Sequence, residues 1–383
     1  MTSAGQRGRA RAGEHAEEEL SVHFLPDYTD ANPYQSRLAE ALTDQGVRVT
    51  TSGGGGGPLP ILAAVLGDDV PDVVHVHFLH QFVVSPGDRL TGTLSLLLGI
   101  RTLLQFVLLR ALGVSLVWTA HDIVEHERRA PRIERVFKHV FLRFLFTRII
   151  VHCSRARDVI REAYHLPPAT LEKTVVVPHG NFLGDYPDEV TRAEARERLD
   201  LPADAFVFGF FGTIRAYKDV PRLVETFDRV ADDDHRLLVA GNPRTQALER
   251  EVEEAAAGDD RIRTVFEYVP DDEVQLYLRA ADVVVLPFRT EERSMLTSGS
   301  AVLAMGFGRP VIAPDVGCVG AVVDEGEGFS YPSDADEGLD LAMRRAADAD
   351  NLVARGRQSR AVVSRRTWDR AATLTSDVYT ERV

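Results

Sequence analysis

The sequence predicts an α/β protein of two Rossmann-like domains, each with a doubly wound parallel sheet, that face each other across a cleft. A chain of 383 residues has the length of two ordinary domains. Short apolar runs alternate with helical segments along most of it, which is typical of parallel sheets covered by helices on both faces. A charged segment with two prolines, residues 184–205, interrupts the alternation, which then restarts. We therefore expect two similar domains joined by a linker.

Composition sets the domain boundaries. Residues 1–18 are polar, charged and of low complexity, which indicates a disordered tail. The first domain is assigned to residues 19–185 and the second to residues 186–364. Residues 365–383 form a last helix that no strand follows.

The elements of the first half are predicted from their hydrophobic pattern. The run ELSVHFL is a strand, a helix with Leu38 and Leu42 on its apolar side follows, and a second strand comes directly after that helix. The five glycines of residues 53–57 form a surface loop and not a phosphate loop, because no strand-to-helix context surrounds them. The further strands are PDVVHVHF, GVSLVWTA, RIIVHCS and TVVV, and the further helices cover residues 93–112, 131–147 and 155–164.

The second half repeats this alternation. Its predicted strands are FVFGFFG, HRLLVAG, RIRTVFEYV, DVVVLPF and RPVIAP. Its predicted helices cover residues 219–231, 245–256, 271–280, 298–307 and 336–347.

The composition excludes several classes of function. The formal net charge of −14 opposes binding to nucleic acid, so no such partner is expected. Two cysteines, Cys153 and Cys318, are too few for a disulfide framework and belong to no zinc-type cluster, which favours a reducing compartment and no structural metal. The N-terminus lacks the apolar core of a signal peptide, and no run of about 18 uncharged apolar residues occurs. The expected location is the cytoplasm.

The strongest candidate for chemistry is the segment 286–314. After a strand and a polar loop, a helix opens with Thr297, Ser298, Gly299 and Ser300. The first N–H groups of a helix are unpaired and partly positive, so this start can hold a phosphate. The alternative is that the hydroxyl groups only cap the helix. The segment alone does not decide between the two.

The second candidate is FFGTIRAYKDV. A strand runs into Gly212 and Thr213, and Arg215 and Lys218 follow before a helix. Two such cations suit a diphosphate, since arginine binds as a fork and lysine as a point charge. The alternative is a pair of surface cations. Lys218 fits that alternative poorly, because the chain has only three lysines and any cation would serve on a surface.

The first half offers histidines at strand ends. His121 directly follows a buried strand, with Asp122 beside it, and a histidine in this place can bind a sugar hydroxyl or stabilise charge. His179, in PHGN after the last strand, is interpreted as shaping the crossover between domains. His75 and His77 share one face of a strand and are expected to be packed and not metal-bound.

The predicted helix 131–147 is basic and rich in phenylalanine. A phenylalanine stripe facing the core, with the cations in solvent, is the favoured interpretation. Peripheral contact with the inner face of a membrane is the alternative. The residues concerned are Arg132, Arg135, Lys138, Arg143, Phe137, Phe141, Phe144 and Phe146.

Several of these segments together resemble a known family. The order of TAHD, PHGN, GTIRAYKDVPRLVETF and SGSAVLAMGFGRPVIAPDVG is similar to that of retaining glycosyltransferases of the GT-B fold, family 4, the group 1 glycosyltransferases. The resemblance spans about residues 20–380, and PDYTDANPYQ and FFGTIRAYKDV are similar to a subgroup of the family. It implies that the last helix crosses back to pack on the first domain.

The resemblance also implies an activity. It is transfer of a sugar from a GDP- or UDP-sugar to a hydroxyl acceptor with retention, in polysaccharide, glycolipid or glycoprotein glycan synthesis, without a bound metal or cofactor. Arg215 and Lys218 would hold the diphosphate, and His121 would reach the transferred sugar. The implied donor-binding residues are Gly212, Thr213, Tyr268, Val269, Thr297, Ser298, Gly299 and Ser300. The implied acceptor or cleft residues are Asn32, Tyr34 and Asp122.

One part of the family pattern is missing. The family carries two glutamates eight positions apart in the donor loop, the second directly before an Ala-Met pair. Here Leu303 precedes that pair and Met295 stands eight positions earlier. The first glutamate lies near the sugar and the second binds the ribose, so both contacts need another source. Glu291 and Glu292 are hypothetical substitutes for the first, and unchanged turnover of a double glutamine variant would exclude them.

Two functions therefore compete. The first is an active transferase with a nucleotide-diphosphate sugar as donor and a sugar or lipid-linked acceptor. The alternative is a non-catalytic nucleotide-sugar-binding or scaffold subunit of a glycan assembly complex, which the missing glutamates favour and His121, Arg215 and Lys218 oppose. The donor sugar, its base and the acceptor are not indicated by the sequence.

Overall fold

Two parallel sheets dominate the structure. The computed structural model describes residues 19–29, 33–53, 57–67, 69–86, 90–124, 129–289 and 297–380. Within these residues the chain forms two six-stranded parallel sheets with flanking helices, which confirms the predicted α/β architecture of two doubly wound domains.

The first sheet lies within the N-terminal half. Its strands are β1 Ser21–Leu25, β2 Arg48–Thr51, β3 Val73–Val76, β4 Ser115–Thr119, β5 Arg148–Val151 and β6 Thr174–Val176. Its helices are α1 Pro33–Asp44, α2 Pro60–Val65, α3 His80–Val83, α4 Thr91–Ala111, α5 Pro131–Phe144, α6 Ser154–Tyr164 and α7 Pro168–Leu171. The strand order is β2-β1-β3-β4-β5-β6, so the order reverses between β1 and β3.

The second sheet follows the charged linker. Its strands are β7 Phe206–Phe211, β8 His235–Ala240, β9 Ile262–Val265, β10 Val283–Val285, β11 Val311–Pro314 and β12 Phe329–Tyr331. The helices of this half are α8 Arg192–Arg198, α9 Val220–Val230, α10 Gln246–Ala256, α11 Val274–Ala280, α12 Gly299–Gly306, α13 Gly317–Glu325, α14 Gly338–Ala347, α15 Leu352–Ser364 and α16 Trp368–Thr380. The order β12-β11-β10-β7-β8-β9 reverses between β7 and β10. Ligand sites of open α/β sheets form at the carboxyl ends of the strands beside such a reversal.

The chain crosses between the two domains twice, and the crossings are bonded to each other. The Asn181 amide N–H donates to the Arg366 carbonyl at 2.7 Å. The Asn181 side chain donates to the Val363 carbonyl at 2.9 Å. Helix α16 then packs on the first domain, where Ala372 and Tyr379 join the apolar cluster around α1. The last helix thus crosses back as the resemblance implied.

The two cysteines depart from the expectation drawn from their number. Cys153 follows β5 and Cys318 lies in α13, and the two are joined in a disulfide with their Cα atoms 5.5 Å apart. The bridge links the two domains. Beside it, Arg155 of the first domain pairs with Asp315 and Asp324 of the second. Because 165 positions separate the cysteines in sequence, only the fold brings them together.

Helix α5 and its neighbour α4 bury their side chains differently from the expectation. Phe137, Phe141 and Phe146 face the core as favoured, but Phe144 at the end of α5 is 64% exposed. Lys138 is also buried, so it is not one of the solvated cations. The exposed apolar surface lies on α4. By length and composition this helix could cross a membrane, and only 33% of its most apolar 18-residue segment is buried inside the protein. Arg101 and Arg110 interrupt this helix, which is why counting uncharged residues did not find it.

Candidate active site in the interdomain cleft

A cleft of about 750 Å³ opens where the carboxyl ends of the two sheets face each other. Both domains line it, and most of the predicted site residues lie there. These are Tyr34, His121, Gly212, Thr213, Lys218, Tyr268, Val269, Thr297, Ser298, Gly299 and Ser300. Asn32, Glu291 and Glu292 lie outside the described residues. Arg215 and Asp122 are described but are not among the residues that line the cleft.

Lys218 brings a positive charge into the cleft. Its side chain is almost fully buried, and its ammonium lies 5.7 Å from the centre of the Phe210 ring. Burial, and next the charge of Arg215, lower the pKa of Lys218 to about 8. Across the described part of the chain, no carboxylate forms an ion pair with it. A buried cation without an anionic partner is costly, so the site is suited to an anionic ligand.

Gly212 leaves space for that ligand. This residue directly follows β7 and has a φ of +121°, a conformation that favours glycine. A Cβ placed on it would lie 3.3 Å from the Lys218 Nζ and 3.1 Å from the Ser300 Oγ. The ammonium and the hydroxyl therefore converge on the small volume above the glycine.

The start of helix α12 forms the other side of this volume. Ser298 is the N-cap, and its Oγ accepts a hydrogen bond from the Ala301 N–H at 3.3 Å. The hydroxyl of Ser298 thus serves as a cap, as the alternative interpretation had it. The N–H groups of Gly299 and Ser300 belong to the first turn, which has no intrahelical partners and carries the positive end of the helix dipole. The helix start and Lys218 thus present positive potential to the same place.

Arg215 lies at the edge of this group. Its carbonyl accepts from the Lys218 N–H at 2.9 Å, which closes the short turn between them. Its charge acts on Lys218 and also on Tyr28 of the first domain, where it opposes the rise that burial causes in the pKa of the phenol. The charge of Arg215 thus acts on one residue of each domain.

Histidines surround Tyr34 on the first-domain side of the cleft. The ring of Tyr34 lies 4.7 Å from His121, 5.0 Å from His179, 5.3 Å from His152 and 5.8 Å from His77, measured between ring centres. His75 is the innermost member and bonds the Tyr379 hydroxyl at 2.6 Å and the Thr119 hydroxyl at 2.7 Å. His75 and His77 are packed as expected, with ring centres 4.1 Å apart. His179, interpreted as shaping the crossover, also lines the cleft.

Burial keeps these imidazoles neutral. It lowers the pKa of His75 and His179 to about 3 and that of His152 to about 4. Burial and then the neighbouring histidines lower the pKa of His77 and His121 as well. His121 therefore presents a neutral ring to the cleft, with its Nε2 3.5 Å from the His77 Nδ1. A neutral imidazole can exchange hydrogen bonds with a hydroxyl group without bringing in a charge.

Comparison with known proteins indicates the class of enzyme. Residues 205–348 match the glycosyl transferases of group 1. The chain is 29% identical to the GDP-mannose:glycolipid 4-beta-D-mannosyltransferase of Xanthomonas campestris pv. campestris. The aligned 315 residues cover 81% of this chain and 80% of the relative. The chain is a glycosyltransferase, and its residues 205–348 are similar to those of group 1.

Other known proteins agree with this assignment. The glycosyltransferase is 31% identical over 247 residues to a D-inositol 3-phosphate glycosyltransferase of Streptomyces bingchenggensis, over 61% of this chain and 52% of the relative. Sucrose-phosphate synthase from Thermosynechococcus elongatus has a TM-score of 0.72 at 20% identity, over 94% of this chain and 98% of that one. HepE from Anabaena, solved with UDP and glucose, has a TM-score of 0.67 at 16% identity over the same shares. These structures establish the shared fold.

Asp122 of the glycosyltransferase belongs to a buried ion group and not to the cleft wall. Its carboxylate lies 3.2 Å from the Lys138 ammonium and 3.5 Å from His80, and Glu134 lies 2.9 Å from the same ammonium. Burial by itself would lower the pKa of Lys138. The nearby Glu134, Tyr164 and Asp122 have the larger combined effect and raise it. The predicted cleft role of Asp122 is thus replaced by a structural one, because a charge so deep in the fold needs a partner.

The loop after β9 forms part of the cleft wall. Glu267, Tyr268, Val269 and Asp271 line it there. The Tyr268 ring is 72% exposed, and its hydroxyl bonds the Asp271 carboxylate at 3.4 Å. Exposed aromatic and acceptor groups of this kind are suited to a nucleotide base.

The sequence missed other residues that line the cleft of the glycosyltransferase. Phe182, Asp185 and Tyr186 lie on the crossover, and Arg37 of α1 pairs with Asp185 at 2.9 Å. Their position just after PHGN was the available signal, since a chain that joins two such domains must pass beside the cleft. Among the described residues, one group has spacing suited to a metal ion, namely the turn residues Asp232, Asp234 and His235, and none of these lines the cleft.

Proposed function

We propose that this glycosyltransferase takes its sugar from a nucleoside diphosphate sugar, with GDP or UDP as the leaving group. The observation that carries the proposal is the buried ammonium of Lys218, which faces the start of α12 across Gly212. A lysine and a helix start supply preoriented positive charge where a diphosphate leaves. The printed names of the relatives support the donor class, since one includes GDP-mannose and one solved structure contains UDP.

The proposed reaction breaks the bond between the sugar C1 and the diphosphate oxygen. A hydroxyl of the acceptor forms the new bond to C1, and its proton goes to the departing phosphate oxygen. Lys218, Arg215 and the α12 N–H groups hold the charge that develops on the diphosphate. Neutral His121 binds a hydroxyl of the transferred sugar and keeps C1 in position.

Attack from the face of the leaving group gives retention. It is supported by the resemblance of the chain to retaining glycosyltransferases. The departing phosphate oxygen can accept the proton without a protein carboxylate. NMR of the anomeric proton tests this step. We expect the donor's configuration in the product. The Xanthomonas relative is named for a β-linkage, and a β-product from an α-linked donor would replace retention by inversion.

The proposed acceptor is a sugar or lipid-linked hydroxyl in glycan synthesis. Support comes from the name of the Xanthomonas relative, which includes a glycolipid acceptor. The predicted cytoplasmic location is part of the same proposal, although the bridge between Cys153 and Cys318 departs from the reducing compartment that the number of cysteines favoured. The scaffold alternative is not favoured, since the relatives are named as transferases.

A panel of nucleoside diphosphates tests the proposal. Thermal shift with GDP, UDP and ADP is expected to show one preferred nucleotide that raises the melting temperature. Matched sugar donors are then assayed for release of that nucleotide. Stabilisation without release from any donor would support the scaffold alternative. Absence of a shift with all three nucleotides would contradict the donor site.

A further inference from the structure

Helix α4 carries its polar residues on the buried face. Ser95, Thr102 and Gln105 are fully buried. The Ser95 hydroxyl accepts from the Ser85 N–H at 2.9 Å, and the Thr102 hydroxyl donates to the Phe82 carbonyl at 2.7 Å. The side-chain Oε1 of Gln105 accepts from the Ile61 N–H at 2.9 Å. These bonds fix the inner face of α4 to the segments around α2 and α3.

The outer face of α4 is apolar and exposed. This reverses the ordinary arrangement, in which the apolar stripe of a surface helix faces the core. Contiguous apolar surface of this extent marks an interaction site. The outer face consists of Leu94, Leu96, Leu97, Ile100, Leu104, Val107 and Leu108, each at least 42% exposed.

Arginines border the outer face. Helix α5 packs beside α4, with the Phe137 ring against Gly99. In the described residues of 90–150, the only carboxylates are Asp122 and Glu134, and both are buried beside Lys138. Glu125 and Glu127 lie outside the described residues. The arginines of α4 and α5 are Arg101, Arg110, Arg132, Arg135 and Arg143.

The charge of the whole chain is unevenly divided. Residues 19–185 carry 16 Lys and Arg against 17 Asp and Glu, whereas residues 186–364 carry 21 against 35. The net negative charge therefore lies almost entirely in the second domain. A negatively charged surface would attract the arginines that border α4 and repel the second domain.

We propose that the outer face of α4 docks on an anionic lipid bilayer, with the helix axis in the plane of the membrane. The leucines enter the interface and the bordering arginines bind the lipid phosphates. Because the inner face is hydrogen-bonded to the domain, α4 lies on the membrane and does not span it. The inference does not rest on the proposed donor, since docking involves no residue of the cleft.

Other occupants fit the outer face less well. Residues 1–18 contain no apolar run that would cover it. In a two-fold dimer through α4, the arginines of each copy would face those of the other, with no described exposed carboxylate of α4 or α5 to balance them. An anionic bilayer supplies both the apolar interior and the opposite charge.

Vesicle flotation of the full chain tests the docking. Vesicles of phosphatidylcholine alone are compared with vesicles containing about one-third phosphatidylglycerol, at low and high salt. We expect binding only to the anionic vesicles, and weaker binding at high salt. The variant Leu97→Gln/Leu104→Gln/Leu108→Gln is expected to lower the partition coefficient at least ~10-fold, because partition scales with buried apolar area.

A matched control replaces exposed apolar residues elsewhere. Leu341 and Val353 of the second domain are 57% and 72% exposed, and Leu341→Gln/Val353→Gln is expected to leave binding unchanged. Both variants should keep the wild-type melting temperature, since exposed substitutions change stability little. Any nucleotide-induced shift should persist in the triple variant, which separates the docking from the donor proposal. The proposal is overturned if the wild type floats with neither vesicle, if the triple variant floats as well as the wild type, or if light scattering shows a wild-type dimer that the triple variant dissociates.

Discussion

Lys218→Met is expected to lower turnover about 10²–10³-fold, the loss typical of removing one preoriented donor at a developing negative charge. Methionine keeps the length and apolar stem of the side chain but removes the ammonium that faces Gly212 and Ser300. The change also removes a buried cation with no described carboxylate partner, so the ligand-free protein should unfold at or above the wild-type temperature. Turnover is measured as nucleotide release with the donor that the panel selects.

The control is Arg250→Met, which removes an exposed cation on α10 outside the cleft. Its turnover should equal that of the wild type. If Lys218→Met also retained full turnover with normal folding, the diphosphate would have to bind elsewhere.

The lowered pKa of Lys218 adds a pH dependence to the same experiment. In the free protein the ammonium loses its proton as pH rises through about 8. Only the protonated ammonium attracts the anion, and its population falls about tenfold from about pH 7 to pH 9. Affinity for the nucleoside diphosphate should therefore fall about tenfold over this range. In Lys218→Met the affinity should be low and nearly flat over this range. A wild-type affinity that does not change with pH would show that the ammonium does not contact the anion.

The histidines around Tyr34 should make the first domain sensitive to acid. In the folded protein His75, His152 and His179 have pKa values of about 3 to 4, whereas the unfolded chain protonates near 6.5. Below pH 6.5 the unfolded state binds protons that the folded state does not, so stability falls as pH falls. At pH 5.5 each histidine costs about 1.4 kcal/mol, and the three together cost about 4 kcal/mol.

Tryptophan fluorescence during urea unfolding measures this effect. Both tryptophans report on the relevant region, since Trp118 lies in β4 and Trp368 packs on Tyr34 and His179. His152→Gln should reduce the slope of the unfolding free energy against pH by about one proton between pH 6.5 and 4. His165→Asn, at the exposed end of α6, should leave the slope unchanged. Equal unfolding free energies at pH 7.5 and 5.5 would contradict the neutral, buried state of the cluster.

The main architecture was predictable because parallel strands buried on both faces are continuous apolar runs. FVFGFFG and DVVVLPF are such runs, and both are strands of the second sheet. Helix α13 and strand β12 were not predicted, since small residues and glycines blur the pattern of GCVGAVVDE and only three residues form β12. Lys218 stands out in the sequence because lysine is rare in this chain, whereas its spacing from other residues carries no such signal.

Other features depend on contacts that no local pattern contains. The sequence showed that α4 is apolar, but only packing shows that its polar residues face inward. The partner of Asp122 lies 16 positions away on the next helix, so a loop aspartate could not be told from a cleft residue. The sequence also did not indicate that four histidine rings would gather around one tyrosine, since they come from the ends of several strands.

The paired crossings at Asn181 and Arg366 and the bridge between Cys153 and Cys318 attach the domains at two separate places. Two attachments define a line, and rigid-body rotation that keeps both intact must turn about that line. While the disulfide is intact, the cleft between the domains can therefore open and close only by a hinge rotation about that line. Reduction of the disulfide would also allow the domains to twist and slide relative to each other, although neither cysteine lines the cleft.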